Sequence, residues 1–135
     1  MTAAGDTFPT RTFRVTRADL VRYAAASGDH NPIHWSDSTA ARVGLPGVIA
    51  HGMLSMGLAA TALRGWAGEE AVFAEYGTRF TRPVVVPDTA DGVEITVDGA
   101  VAEVREDGSV RVDLTVRSGS QKVLARTRAV LSYGR

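Results

Sequence analysis

The chain has 135 residues, 44% of them hydrophobic and 22% charged, and its fifteen basic and fifteen acidic side chains cancel. That length makes one domain able to bury a core without staples, and a zero balance argues against a nucleic-acid or anionic-membrane surface, which needs a basic excess. Cysteine is absent, which removes disulfide and thiol chemistry and fits a reducing, cytoplasmic setting.

Met1 to Asp6 carries neither a basic region nor an apolar core, so no signal peptide is expected. Phe8 to Val15 reads as an edge strand. Thr16-Arg17-Ala18-Asp19 is a capping-box variant, with a hydroxyl at the cap and an acid three residues on. Leu20, Val21, Tyr23 and Ala24 follow at helical spacing, which predicts a helix to about Ala26, stopped by Gly28. Asn31-Pro32 pushes the backbone toward an extended conformation, so "SGDHNPIH", Ser27 to His34, is a loop. A short helix is predicted over 36–43, opened by Ser36 or Asp37 and closed by Gly44. Leu45-Pro46-Gly47 is a turn. From about Gly52 to Leu63 the sequence is apolar or small on every side, which predicts a helix wrapped all round. The mostly apolar run from Val48 to Leu63 is shorter than the roughly 20 residues that cross a bilayer.

The remainder alternates with period two. Phe73 to Val85 predicts one strand, ended by Pro87-Asp88. Val93, Ile95 and Val97 share a face, and Gly99 suggests a bulge or bend after them. Val110, Val112, Leu114 and Val116 share another face. Asp107-Gly108 is a hairpin signal between these strands, Ser118-Gly119-Ser120 makes a second turn, and Val123 to Ser132 returns. About four long antiparallel strands with one apolar face need a cover, and the Gly52–Leu63 helix is the candidate. The architecture expected is α+β: a single hot-dog domain over 1–135, its antiparallel sheet wrapped around a central helix.

The loop before Trp35 holds two of the three histidines. Asp29 and His34 together can take a proton from one water and return it. Gly28 and Pro32 fix the loop's shape, and Asn31 has both a donor and an acceptor to hold that water. The bland alternative is a set of Asx-type turns with a locally packed histidine, and composition does not choose between them. A metal set from His30, His34 and Asp29, perhaps with His51, is disfavoured because Pro32 breaks the helix that would give a four-residue spacing its meaning. No metal is expected. At "GVIAHGMLSMG", a helix starting near Gly52 would aim free N–H groups and its positive dipole end at whatever lies above. Gly52 would let a ligand approach, or simply permit close packing. His51 reads as structural, and Ser55 as bonded back to a carbonyl. Arg79 and Arg82, flanking Phe80 on one side of a strand, read as solvent-facing arginines that could meet phosphates of a carrier.

Tyr23 to Ala40, "YAAASGDHNPIHWSDSTA", resembles the hydratase motif of the MaoC-like, (R)-specific enoyl-thioester hydratase family, departing at Ala26, where the family has a larger aliphatic or a glycine. "AHGMLSMG" and "EYGTRFTRPVVVPD" are similar to that family's following blocks. "NPIHW" and "AHGM" look like the small actinobacterial dehydratase subunits acting on 3-hydroxyacyl thioesters. The resemblance implies a hot dog that pairs with a second one, as a homodimer or heterodimer. It implies reversible syn hydration of trans-2-enoyl thioesters of coenzyme A or an acyl-carrier protein, without a cofactor. Carried over, Asp29 and His34 are the acid/base pair, Asn31 supports the water, the Gly52 N–H binds the thioester oxygen, and His30 faces away. A hot-dog thioesterase, or a subunit active only with a partner, are the alternatives. Asn31-Pro32-x-His34 is not the thioesterase arrangement, and the intact Asp29/His34 pair speaks against a purely non-catalytic subunit.

Overall fold

The computed structural model describes residues 3–134. In chain order the elements are β1 (Arg11–Val15), α1 (Arg17–Ser27), a 3₁₀ turn at Pro32–His34, α2 (Asp37–Arg42), α3 (Gly52–Ala67), β2 (Ala71–Phe80), β3 (Val93–Val104), β4 (Val110–Ser118), β5 (Gln121–Lys122) and β6 (Leu124–Tyr133). The sheet is antiparallel and runs β1-β3-β4-β6-β2, with β5 paired to the end of β4. The hot-dog reading holds: α3 packs against β2, β3 and β4, and Leu63, Ile95, Val97, Val112, Val116 and Leu131 are fully buried.

Local sequence places the first helices. The Thr16 side chain accepts from the Asp19 N–H while Asp19 accepts from the Thr16 N–H, a complete capping box. The bond from the Thr16 backbone, above all, holds the Asp19 carboxyl below its usual range. Gly28 closes α1 in the left-handed region at φ 79°. Ser36 caps α2. The proline loop is tighter than expected: Asn31 Oδ1 accepts from the Ile33 N–H and opens one 3₁₀ turn with Pro32 in its first position, where a missing N–H costs nothing.

Three expectations change. First, α3 is not wrapped all round. Ser55, Ala59, Ala62 and Leu63 are buried, but Met53 is 59% exposed and Gly57, Thr61 and Arg64 lie on the same open stripe. One curved sheet covers only part of a cylinder.

Second, the strand expected over 73–85 starts at Ala71 and ends at Phe80. Pro83 has no N–H for a ladder, and the segment beyond leaves the sheet. There Ala50 N–H donates to Val84 O and Val86 N–H to Val48 O, each at 2.9 Å, and the Ile49–Val85 pair forms a bridge. Arg79 and Arg82 therefore do not share a strand.

Third, β3 runs straight through Gly99, and its irregularity falls later, between Val101 and Glu103. Gly99 is needed for packing: a Cβ there would lie 2.7 Å from Trp66 Cζ3, 3.1 Å from Phe8 Cδ2 and 3.2 Å from Leu114 Cδ2. The Phe8 and Trp66 rings stack at 4.9 Å over that bare position. Replacing Gly99 by Ala forces these rings apart, and the expected cost is about 1–3 kcal/mol, read as a lowered midpoint in denaturant unfolding.

Candidate active site

The segment 48–51 joins three parts of the fold. It bridges to 84–86 on one side, and on the other the Ile49 N–H donates to Ile33 O at 3.1 Å. That second bond sets the proline loop beside the start of α3. His34, at the end of the 3₁₀ turn, is 7% exposed. Its Nδ1 stands 2.7 Å from Ile49 O. A carbonyl can only accept, so Nδ1 donates its proton there and Nε2 is the nitrogen left to face the loop.

That nitrogen meets Asp29. His34 Nε2 and Asp29 Oδ2 are 3.9 Å apart, too far for a direct hydrogen bond and suited to sharing one water. The other carboxylate oxygen, Oδ1, accepts from the Asn31 N–H at 3.2 Å, and the Asp29 N–H donates to Ser27 Oγ at 3.2 Å. The loop fixes the Asp29 side chain through its own backbone, although the side chain is half exposed. Asn31 is exposed, and its carbonyl oxygen is committed to the Ile33 N–H. Its observed contacts shape the loop. His30 is exposed and contributes its carbonyl to the Trp35 indole N–H.

His51 belongs to this group more closely than its sequence context suggests. It is 1% exposed, its ring stacks on His34 with centroids 3.7 Å apart, and the Tyr23 ring meets it edge-on at 4.8 Å. Its Nε2–H donates to Asp29 O at 3.1 Å, which leaves the buried Nδ1 without a partner. Burial is the main cause that lowers its basicity, with the neighbouring His34 adding to it and the Asp29 carbonyl opposing. A neutral His51 thus ties the Asp29 backbone to the wall behind His34. The signal available in sequence was only its place directly before the helix.

Asp29, His34 and His51 can each bring one ligand atom within 4.8 Å of the others. The rings are stacked and inclined by only 19°, so their in-plane lone pairs lie in separate, near-parallel planes, whereas a tetrahedral metal site needs convergent ones. His30 is outside this cluster.

A cavity of about 470 Å³ opens onto these groups. Asp29, His34, His51, Gly52 and Ser55 line it on the loop and helix side, and Phe80, Arg82, Val84, Val123 and Leu124 on the sheet side. Arg79 is not on this wall. Gly52 is the first residue of α3, and His51 makes no side-chain cap bond. The first N–H groups of a helix have no intrahelical acceptor, so the positive end of α3 faces the cavity. A Cβ on Gly52 would lie 2.8 Å from two atoms of the Phe80 ring, so the ring and the helix end are in contact only because Gly52 has no side chain. The sequence-predicted Asp29, His34 and Gly52 thus share one cavity, and Asn31 braces the loop behind them.

The chain has relatives. The MaoC like domain family matches residues 2–119. 3-Hydroxyacyl-thioester dehydratase X of Mycobacterium tuberculosis is 46% identical over 85 residues, which cover 61% of this chain but 28% of that protein. 3-Hydroxybutyryl-CoA dehydratase of Methylorubrum extorquens is 35% identical over 111 residues, covering 82% of this chain and 68% of its own length. Among solved structures, the R-hydratase PhaJ1 of Pseudomonas aeruginosa superposes with a TM-score of 0.85 at 29% identity, over 98% of this chain and 83% of that one. With its sequence matched across most of its length and its fold shared in full, the chain belongs to the MaoC-like domain family.

Proposed function

We propose that this protein catalyses reversible syn hydration of trans-2-enoyl thioesters to (R)-3-hydroxyacyl thioesters, the carrier being coenzyme A or an acyl-carrier protein. One observation carries the reading: the His34 Nε2 nitrogen and the Asp29 Oδ2 oxygen stand 3.9 Å apart in the same cavity as the open N-terminus of α3. The hydratase and dehydratase names of the relatives support the reaction class.

In the hydration direction, a water held between His34 Nε2 and Asp29 Oδ2 attacks the β-carbon and gives one proton to this pair. The β-carbon–oxygen bond forms as the double-bond electrons move toward the thioester. Negative charge collects on the thioester oxygen, where the Gly52 N–H and the helix dipole meet it. These contacts strengthen as the enolate forms, which is the condition for lowering the barrier. The same pair then returns a proton to the α-carbon, so hydroxyl and hydrogen arrive on one face. Dehydration is the reverse. Asn31 maintains the loop that spaces the two groups, and its amide end is the expected orienter of the water. Each proton and electron pair is accounted for by substrate, water and side chains, so the reaction needs no cofactor.

A second reading, a subunit active only beside a hot-dog partner, is favoured by the uncovered stripe of α3 at Met53, Gly57 and Thr61 and by the position of β2 at the sheet edge, where unpaired backbone groups await a strand. The pairing expected is with a second copy or a related chain. Light scattering alongside an assay of the purified chain decides it: a dimer hydrating alone supports the homodimer, and activity restored only by a related subunit supports the heterodimer.

Asp29→Asn and His34→Ala are each expected to lower hydration of a short enoyl thioester by about 10²–10⁴-fold, with thermal unfolding little changed in the Asp29 variant. Loss of the enoyl-thioester absorbance band reads the reaction, and full activity in either variant removes the pair from the mechanism. Gly52→Ala pushes against the Phe80 ring, which is 55% exposed and free to swing outward. The expected outcome is a folded protein with kcat down by about tenfold, as a displaced reacting group would give, and KM changed less. Wild-type turnover would exclude Gly52 from the site.

A further inference from the structure

We infer that the corner where β2 ends against β6, next to the β5 end of that chain segment, binds the phosphate groups of coenzyme A, through Arg79, Arg82 and Arg126 with Lys122 beside them. This rests on the reading of the cavity as a thioester site and selects between its two carriers. The chain is neutral as a whole but not along its length. Residues 76–87 hold Arg79 and Arg82 and no acid, and residues 114–134 hold Arg117, Lys122, Arg126 and Arg128 and no acid. Residues 88–113, by contrast, hold eight of the fifteen acids.

Folding brings the two acid-free stretches together. Arg79 lies opposite Ala125, and Phe80 opposite Leu124. The Thr81 and Arg82 N–H groups both donate to Val123 O, at 3.1 and 3.4 Å. Lys122 precedes that residue and faces Arg117 across the β4–β5 pair. Arg128 is 3.9 Å from Asp113 and so is partly answered. Among the described residues, none of the ion pairs involves Arg79, Arg82, Lys122 or Arg126, and all four are exposed. Arg82 alone of the four also lines the cavity, so the corner reaches its mouth through that side chain.

Arg126 adds an independent sign. At φ 51° it is the one non-glycine residue with positive φ among those described, a conformation that glycine adopts freely and that a side chain resists. The register explains how it arises: Gly77 pairs with Arg128 but Arg79 with Ala125, so Arg126 and Thr127 together face Thr78 in a bulge. Thr127 is 2% exposed, and its Oγ1 lies 2.9 Å from that of Thr78, while Arg126 stays exposed on the rim. Bulges redirect side chains near functional sites, and strain of this kind is kept where a site needs it. Cations gathered at one strand end suit phosphates gathered at one end of a small molecule. A folded acidic partner would ask for charges spread over a face of about 800 Å².

Isothermal titration of coenzyme A into the full chain tests this without turnover. Binding is expected to weaken as salt rises, and Arg79→Gln and Arg126→Gln are each expected to raise Kd by about tenfold. Arg126→Gly is expected to weaken binding equally while the thermal midpoint holds or rises, a combination that a purely structural arginine would not give. Turnover of an enoyl thioester of plain pantetheine, which lacks phosphate, is expected to be the same in wild type and variants. Coenzyme A affinity unmoved by both Gln variants overturns the inference, as does an equal loss on the pantetheine substrate. Arginine-dependent binding of an acyl-carrier protein by a chain indifferent to coenzyme A overturns it too. The expected coenzyme A dependences in a chain that hydrates nothing would uphold the corner and defeat only the proposed reaction.

Discussion

The hydrogen bond from His34 Nδ1 to the Ile49 carbonyl, 2.7 Å long, is the contact on which the site depends. It fixes which nitrogen carries the proton, it turns the ring so that Nε2 faces Asp29, and it ties the proline loop to the strand-like segment that leads into α3. Each consequence is needed for a base at that position, and none follows from having a histidine there. Buried polar groups of this kind are held firmly because an unmade bond would leave a desolvated carbonyl or imidazole N–H.

Around that bond the fold supplies two opposed walls. Segment 48–51 is gripped by Val84 and Val86 on one side and by Ile33 on the other, so the start of α3 and the Asp29–His34 loop cannot drift independently. His51 reinforces this by stacking on His34 and bonding the Asp29 carbonyl. The sheet wall reaches the same point through Phe80, whose ring rests on the bare Cα of Gly52. Under the proposed reaction, donors held in this way are in place before charge develops, which keeps reorganisation small. Tyr76 performs a similar service further along: its hydroxyl donates to Met56 O, and burial pushes its ionisation up to about 12, which keeps it a neutral tie between β2 and α3.

The same architecture leaves some surfaces unanswered. One sheet curls around α3 without closing, and the open side carries Met53 where a buried helix would carry contacts. The sheet ends on β2 at one edge, and Arg79, Arg82, Lys122 and Arg126 take part in none of the ion pairs among the described residues. No helix among the described residues is long and apolar enough to cross a membrane.

Much of the fold was legible in local sequence because local rules dictated it. The capping box at Thr16, the Gly28 and Gly44 stops, the alternation of β4 and the Asp107-Gly108 turn each depend on a few neighbouring residues, and each appears where expected. The loop's polar residues and the family resemblance pointed to Asp29, His34 and Gly52. Sequence alone missed what depends on distant packing: Gly99 bare beneath Trp66 rather than bulged, β2 ending early as 84–86 pairs with 48–50, and His51 joining the site. By itself, then, the sequence determined the elements, their order and the chemistry available, since periodicity, caps and turns act over a few residues. Only tertiary structure decided the tautomer of His34, the 3.9 Å gap to Asp29 and the strained setting of Arg126, because each is set by a carbonyl, a ring or a strand far away in the chain.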